Sequence, residues 1–224
     1  AQKLIEELQC ETVFTIPVLG GIPVSEAVVV TWIIMAVLVI VAFILTRNLK
    51  VDHISKRQAV AESIVTGLMN MVQGMVGEKG RKYVPYLTTV MLYIGVSNII
   101  GLFGFKSPTK DLRVTVALAL MSIILIEAAG IYHKGVKRWL HGFVEPVAIV
   151  TPINILEVVT KPLSLCMRLF GNVLGAFVIM ELLKMILPVG LPVVFSLYFD
   201  IFDGLLQAYV FVFLTSLYID EITE

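Results

Sequence analysis

Charge is scarce in this sequence. Only 15% of its 224 residues are Asp, Glu, Lys or Arg, against 58% hydrophobic, which departs in both directions from ordinary soluble domains. So few charged side chains cannot wrap so many apolar ones in water, and the mean hydropathy of +0.94 makes lipid the solvent for most of the chain. Neither sign of charge is in excess. Seventeen basic and seventeen acidic residues cancel, which removes the electrostatic case for a nucleic-acid partner. Cysteine is nearly absent: Cys10 and Cys166 fall far apart on different predicted elements, so neither a disulfide framework nor a metal motif is expected, and no cofactor is called for. The segment before Ala27 carries Glu6, Glu7, Glu11 and Glu26 but no basic-then-apolar leader, so a secretory signal is not expected. Internal repeats and low-complexity tracts are also missing, and residues 1–224 read as a single membrane domain.

What the chain has is uncharged length. Ala27 to Leu45 holds nineteen uncharged residues, enough at about 1.5 Å per residue to cross a hydrocarbon core about 30 Å thick. Tyr83 to Phe105 is interrupted only by Thr88, Thr89, Ser97 and Asn98, and Val114 to about His133 contains Glu127; joined by Lys106-Ser107-Pro108-Thr109-Lys110, they form an antiparallel pair over residues 83–133. The remaining apolar length, within residues 146–220, is divided by Pro188, Gly190 and Pro192, which suits a tight hairpin. The expected fold is therefore an all-α polytopic membrane protein with five spanning helices after an outer N-terminal segment, residues 1–26. Between the first two spans, residues 56–78 place Val60, Ile64, Leu68, Met71 and Met75 at helical spacing, with Gln58, Glu62, Thr66, Asn70 and Gln73 elsewhere. This is an amphipathic surface helix. The pattern fits a helix packed on a soluble domain equally well, but the chain has no such domain. From Thr151 to Leu187 only Pro162 interrupts thirty-seven residues, roughly 55 Å of helix. That is nearly twice the hydrocarbon thickness, so the last two spans should form a long, strongly tilted hairpin.

Lys and Arg set the orientation. Arg47, Lys50, Lys56, Arg57, Lys79, Arg81, Lys82, Lys134, Lys137 and Arg138 fall on one side of the spans, and Lys3, Lys106, Lys110 and Arg113 on the other. Ten against four puts the N-terminus outside and the tail Asp220-Glu221-Ile222-Thr223-Glu224 in the cytoplasm.

The last two spans hold what lipid most disfavours: Glu157, Lys161, Arg168, Glu181 and Lys184 on one, Asp200 and Asp203 on the other. An ionised group at the bilayer centre costs at least about 2.5–3.5 kcal/mol, so each should face protein or water. Glu157, Lys161, Ser164, Arg168, Asn172 and Gly175 share one stripe of an α-helix, and Asp200, Asp203, Gln207, Phe211, Leu214 and Tyr218 make a comparable one. Arg168 is a salt-bridge anchor or an awaiting partner. Glu157 and Glu181 lie roughly 16–20 Å from it along the axis, which favours a carboxylate on another chain. Lys161, Glu181 and Lys184 also fit snorkelling near helix ends. Glu127 fits a residue at the inner interface, and Asn98 fits helix-packing glue.

The run Lys161-Pro162-Leu163-Ser164-Leu165-Cys166-Met167-Arg168-Leu169-Phe170-Gly171-Asn172 resembles the signature of the F-type ATP synthase subunit a family. Leu206-Gln207-Ala208-Tyr209-Val210-Phe211 is similar to that family's last helix, and Phe105 to Thr109 with Asp111-Leu112 to its loop between the third and fourth helices. Many members carry a Glu where this chain has Phe177, while Asp200 stands where that acid's partner would be. The resemblance implies a non-catalytic stator subunit of the Fo motor. Two offset half-channels would pass H⁺ or Na⁺ to the carboxylates of a c-subunit ring, coupling ion flow to rotation and ATP synthesis. Arg168, Asn172, Gln207, Asp200 and Asp203 would be its ion-translocation residues, with Glu157, Lys161, Ser164 and Tyr218 at the inner half-channel. Amide bridges across the hairpin fit Asn172 and Gln207 equally, and complementing a helix dipole also fits the two Asp residues. The implied partners are the c-ring, b-type peripheral stalk subunits and the lipid of an energy-coupling membrane, taken as a bacterial plasma membrane. The rival from another class is a secondary ion-coupled transporter, which would show paired, related halves; none is found.

Overall fold

The computed structural model describes residues 12–16, 22–47, 55–78, 80–103, 107–142, 151–186 and 195–223. Among them six helices are long and apolar enough to cross a membrane. Five match the expected spans, and the sixth, Lys56–Val76, is the amphipathic segment. The chain is an all-α polytopic membrane protein. Cys10, the 143–150 connection and the Pro188-Gly190-Pro192 turn lie outside the described residues.

The first element among the described residues is a two-stranded antiparallel hairpin that the sequence reading did not anticipate, β1 (Thr12–Ile16) paired with β2 (Ile22–Ser25). Thr12, Val13, Thr15, Ile16 and Ile22 are β-branched, the composition a pleated strand favours. Ser25 then occupies the N-cap position of α1 (Glu26–Thr46) without a side-chain capping bond. The helix packs through Ala27, Val30 and Ile34, while Val39 and Phe43 are two-thirds exposed. Such a surface is tolerable only against lipid or another apolar partner.

α2 (Lys56–Val76) begins beside the last turn of α1, where the Arg57 guanidinium donates to the Arg47 carbonyl at 3.4 Å. Ser55 caps it by accepting from the Gln58 amide at 3.2 Å. At its other end Val72 and Val76 are fully buried and Gly77, at φ 67°, leaves room for the Asp220 carboxylate.

α3 (Val84–Ile99) and α4 (Leu112–Lys134) form the expected antiparallel pair. Their connection is held by its own polar residues. The Asp111 carboxylate accepts from the Arg113 amide, capping α4, and from the Ser25 hydroxyl, each at 2.9 Å. A short helix, α5 (Val136–Gly142), follows, and its Trp139 donates to Glu127 at 3.0 Å. Glu127 is thus a tether between α4 and α5.

α6 (Thr151–Ile186) is one continuous helix of 36 residues that passes through Pro162. Proline removes one backbone donor and crowds the carbonyl four residues earlier, so the Val158 carbonyl loses its helical partner there. Leu165, Cys166 and Leu169 are buried, and Cys166 approaches the Thr115 hydroxyl of α4 at 3.5 Å. The last span departs from regular winding: residues Leu197–Asp203 form a π-helix, and α7 (Gly204–Thr223) continues it as α-helix.

Two adjoining clusters make the core. One joins α1, α3, α4, α6 and α7 through Ile34, Ile94, Leu118, Leu169 and Phe211; the other joins α2, α3, α4 and α7 through Val76, Leu87, Ile126 and Ile219. The bundle consequently has two distinct ends. Ser25 meets Asp111 and Asn98 meets Gly204 at one; Gly77 meets Asp220 and Gly130 meets Ile222 at the other.

Thirty-six residues of helix measure about 54 Å at 1.5 Å per residue. Spin labels placed singly along α6 in bilayers should therefore report a depth that advances well below 1.5 Å per residue between Ile153 and Met185. A full 1.5 Å step throughout would mean an upright helix.

Candidate functional site

The site grows from the middle of α6. Leu165 and Leu169, one turn apart, are buried against the core at 1% and 0% exposure. That fixes the helix rotation and turns Ser164, Arg168, Gly171 and Gly175 outward, where all four are exposed. Arg168 makes no hydrogen bond or ion pair among the described residues. The carboxylates on its own helix are engaged elsewhere: Glu157 with Lys161 at 3.7 Å and Glu181 with Lys184 at 2.6 Å. An arginine is always charged and carries five donors in a planar fork, so an unpaired one on a spanning helix needs water or a partner from outside.

One turn on, the Asn172 Nδ2 donates to Gln207 Oε1 of α7 at 2.6 Å. Gln207 is 1% exposed, and its Nε2 has no partner among the described residues. The amide pair thus bridges the hairpin, one of the two roles left open for it above, and one donor of the buried member has no partner among the described residues.

Towards the Asp220 end, Lys161 gathers a second group. It donates to Glu221 at 3.1 Å, lies 3.7 Å from Glu157 and sits 5.3 Å above the Tyr218 ring. The sequence reading joined Glu157, Lys161 and Tyr218 but missed Glu221, which it treated only as part of an acidic tail. Position three after Tyr218 on the same helix was the available signal. Ser164 stands exposed on the same α6 face.

At the opposite end, Asp200 accepts from Ser196 at 2.7 Å and faces Gly101, where an added Cβ would lie 3.3 Å from its Oδ1. Asp200 and Asp203 are both half-buried. The π-helix holds an extra residue in its turn and rotates Asp200 away from the α-helical stripe drawn through Gln207, whereas Asp203 stands four residues before Gln207, next to the start of α7. Further along α7, Phe211 is 1% exposed in the core while Leu214 and Tyr218 pack against it. Phe177 lies under the Lys110 ammonium, 4.1 Å from ring centre to nitrogen, which ties the α3–α4 connection to α6.

A bundle of apolar spans with an unpaired arginine among the described residues and an amide bridge to a buried glutamine at mid-length suits an ion-handling membrane protein better than a lipid anchor. The profile of the ATP synthase A chain family matches residues 28–220, and the chain belongs to that family. It is 36% identical to ATP synthase subunit a of Moorella thermoacetica over 203 residues, covering 90% of this chain and 92% of that one. It is 35% identical over 215 residues to the sodium ion specific ATP synthase subunit a of Propionigenium modestum, covering 89% of this chain and 74% of that one. The corresponding protein of Chlorobaculum parvum is 34% identical over 208 residues, covering 92% and 91%. The family connects the chain to ATP synthesis and ion transport across a membrane.

A double-mutant cycle tests the amide bridge. Asn172→Ala and Gln207→Ala should each lower the thermal stability of the detergent-solubilised protein, and their combined effect should fall short of additivity by about 1 kcal/mol. Strict additivity would show that the two amides do not meet.

Proposed function

We propose that this chain is the stationary ion-conducting subunit of the Fo motor, with Arg168 as the fixed charge that a rotating c-ring passes. The observation that carries the reading is an exposed guanidinium on a spanning helix with no partner among the described residues, one turn from the Asn172–Gln207 bridge. Its counter-ion is a carboxylate on another chain. A guanidinium forms a bidentate pair with a carboxylate and stays protonated at any physiological pH. Each ring carboxylate arriving beside it is favoured in its ionised form and releases its H⁺ or Na⁺. The same positive charge blocks a direct leak between two offset half-channels. No covalent chemistry is asked of this subunit.

The half-channels follow from the two ends of the bundle. Asp200 and Asp203 serve the outer path, and Glu157, Lys161, Ser164 and Tyr218 the inner one. The end bearing Arg47, Arg81, Lys82 and Arg138 lies in the cytoplasm by the positive-inside rule. That orientation lays α2 along the inner surface, supported by its exposed Val60, Ile64 and Met71 and by ends that meet the last turns of α1 and α7. A b-type stalk subunit holds the whole against the torque of the ring, in a bacterial plasma membrane.

Removing the guanidinium would leave an ionised ring carboxylate unpaired at a cost of about 3–5 kcal/mol. ATP synthesis by vesicles reconstituted with Arg168→Ala should therefore fall by about a hundredfold or more, with normal c-subunit content as the assembly control. Arg168→Lys should also fail, because an ammonium lacks the planar fork. Near-normal synthesis by the Ala variant would refute the role, and dependence of wild-type synthesis on sodium distinguishes Na⁺ from H⁺ as the carried ion.

Outer access is tested separately. In a background lacking Cys10 and Cys166, cysteines at positions 200 and 203, both half-buried, should react with a small impermeant thiol reagent added outside, much faster than cysteines at positions 202 and 213. Uniform labelling, or labelling from the cytoplasmic side alone, would make Asp200 and Asp203 structural.

A further inference from the structure

The outer part of the last span is wound as a π-helix, a form that usually occupies a single turn and that a chain adopts only when something holds it. Here it runs for seven residues, Leu197–Asp203, and stops abruptly at Gly204. Gly204 is the junction. Its N–H closes the last π turn onto the Phe199 carbonyl, and its own carbonyl accepts a hydrogen bond from Asn98 Nδ2 of α3 at 2.9 Å. Asn98 is 5% exposed, and its other amide atom, Oδ1, accepts from the Thr109 hydroxyl at 2.7 Å. Because a carbonyl faces one side of this amide and a hydroxyl the other, the assignment of nitrogen and oxygen is fixed by the partners. Thr109 in turn lies 2.7 Å from the Ser107 hydroxyl, which donates to the Ser97 carbonyl at 2.7 Å. With Ser107 donating to the Ser97 carbonyl and Thr109 to Asn98 Oδ1, both hydroxyl hydrogens are used, and the two oxygens stand together behind Asn98.

The packing is as tight as the bonding. A Cβ added at Gly204 would lie 2.7 Å from the Asn98 Cβ, a separation that no side chain at 204 can occupy without displacing one of the two helices. Glycine is required there because the α3 backbone comes close, and the close approach is what brings the amide to the carbonyl.

We infer that Asn98 and Gly204 form a register clamp: by pinning the junction residue they hold residues 197–203 in the π winding and so set the direction in which Asp200 and Asp203 point. Both are positioning residues, acting on ion access only through the two carboxylates they aim; that part rests on the outer-path reading above. The aromatic pairs of the same segment, Phe195–Phe199 and Tyr198–Phe202, stacked with centroids 6.2 and 5.4 Å apart, are the competing explanation for the π winding. Asn98→Asp separates the two, since it puts an oxygen against the Gly204 carbonyl, keeps the acceptor for Thr109 and leaves the aromatic stacks untouched.

The test reads register directly. In the assembled enzyme lacking Cys10 and Cys166, a Gly101→Cys/Asp200→Cys pair should form a disulfide readily, since the Asp200 carboxyl carbon lies 3.6 Å from the Cβ position of residue 101. Adding Asn98→Asp should slow that cross-link by about fivefold or more, the scale on which one buried hydrogen bond shifts a two-state population. A second pair, Asn172→Cys/Gln207→Cys, lies beyond the junction and should cross-link at an unchanged rate, which separates a register change from general unfolding. Asn98→Ala and Gly204→Ala, acting from opposite sides of the contact, should give the same pattern. An undiminished 101–200 cross-link in Asn98→Asp would overturn the clamp and leave the aromatic stacks as the cause. Equal slowing of both pairs would overturn it too, because the effect would then be loss of fold. A selective loss in a protein whose Asp200→Asn and Asp203→Asn variants synthesise ATP normally would keep the clamp and remove the outer-path reading.

Discussion

Hydrocarbon offers no partner to a polar group, and that constraint arranges most of this chain. Thr31, Thr88, Thr89 and Thr215 each donate to the carbonyl four residues back on their own helix. Others reach across: Tyr93 to Thr31 at 3.1 Å, Asn172 to Gln207, and Ser25 to Asp111. Because lipid tails are as apolar as leucine, packing between spans gains little from the hydrophobic effect, and such bonds decide which helices meet and in what register. Arg168 stands outside this accounting. A chain that satisfies its intramembrane threonines so consistently leaves its most strongly charged mid-helix group without a partner among the described residues.

The spans were legible because apolar length is a strong signal. The helix starting at Glu26, the antiparallel pair and the 36-residue α6 fall within a few residues of where uncharged runs begin and end. The pairing of Asn172 with Gln207 was one of two readings the sequence left open, since both sit at helical spacing from charges that had to face protein or water. What escaped has physical reasons. A π segment has the composition of any apolar helix, so a stripe drawn at 3.6 residues per turn carried Asp200 onto the wrong bearing. The N-terminal hairpin is short, and its β-branched residues carry little weight beside nineteen uncharged residues. Glu221 lay in a tail whose charges looked solvent-bound, and only its contact with Lys161 shows that the chain end returns to α6. The outward aim of the α6 stripe was half seen: charge placement required a partner, but not that Ser164, Arg168, Gly171 and Gly175 would stand exposed between the Lys161 and Asn172 contacts with α7.

The two ends of the bundle are built differently. At the Ser25 end the ties are short and buried, a set of hydroxyls and amides around Asp111 and Asn98. At the Asp220 end they are long side chains at partly exposed positions, Lys161 with Glu221 and Lys82 with Tyr132. Exposed ion pairs contribute about 0–1 kcal/mol, whereas buried bonds cost more to lose. Local opening should therefore begin at the Asp220 end, and the Ser25 end should hold its geometry more closely.

The exposed face of α6 also has a mechanical meaning. Ser164, Gly171 and Gly175 flank Arg168, and nothing stands within 4 Å of where a Cβ on either glycine would be. Helices that lock together do so by seating ridges of side chains in grooves, and this strip has almost no relief from which to build a ridge. On the reading proposed above, a neighbouring ring helix crossing it would meet a nearly smooth track on which the main obstacle is electrostatic, engaging an opposite charge and letting a neutral side chain slide past.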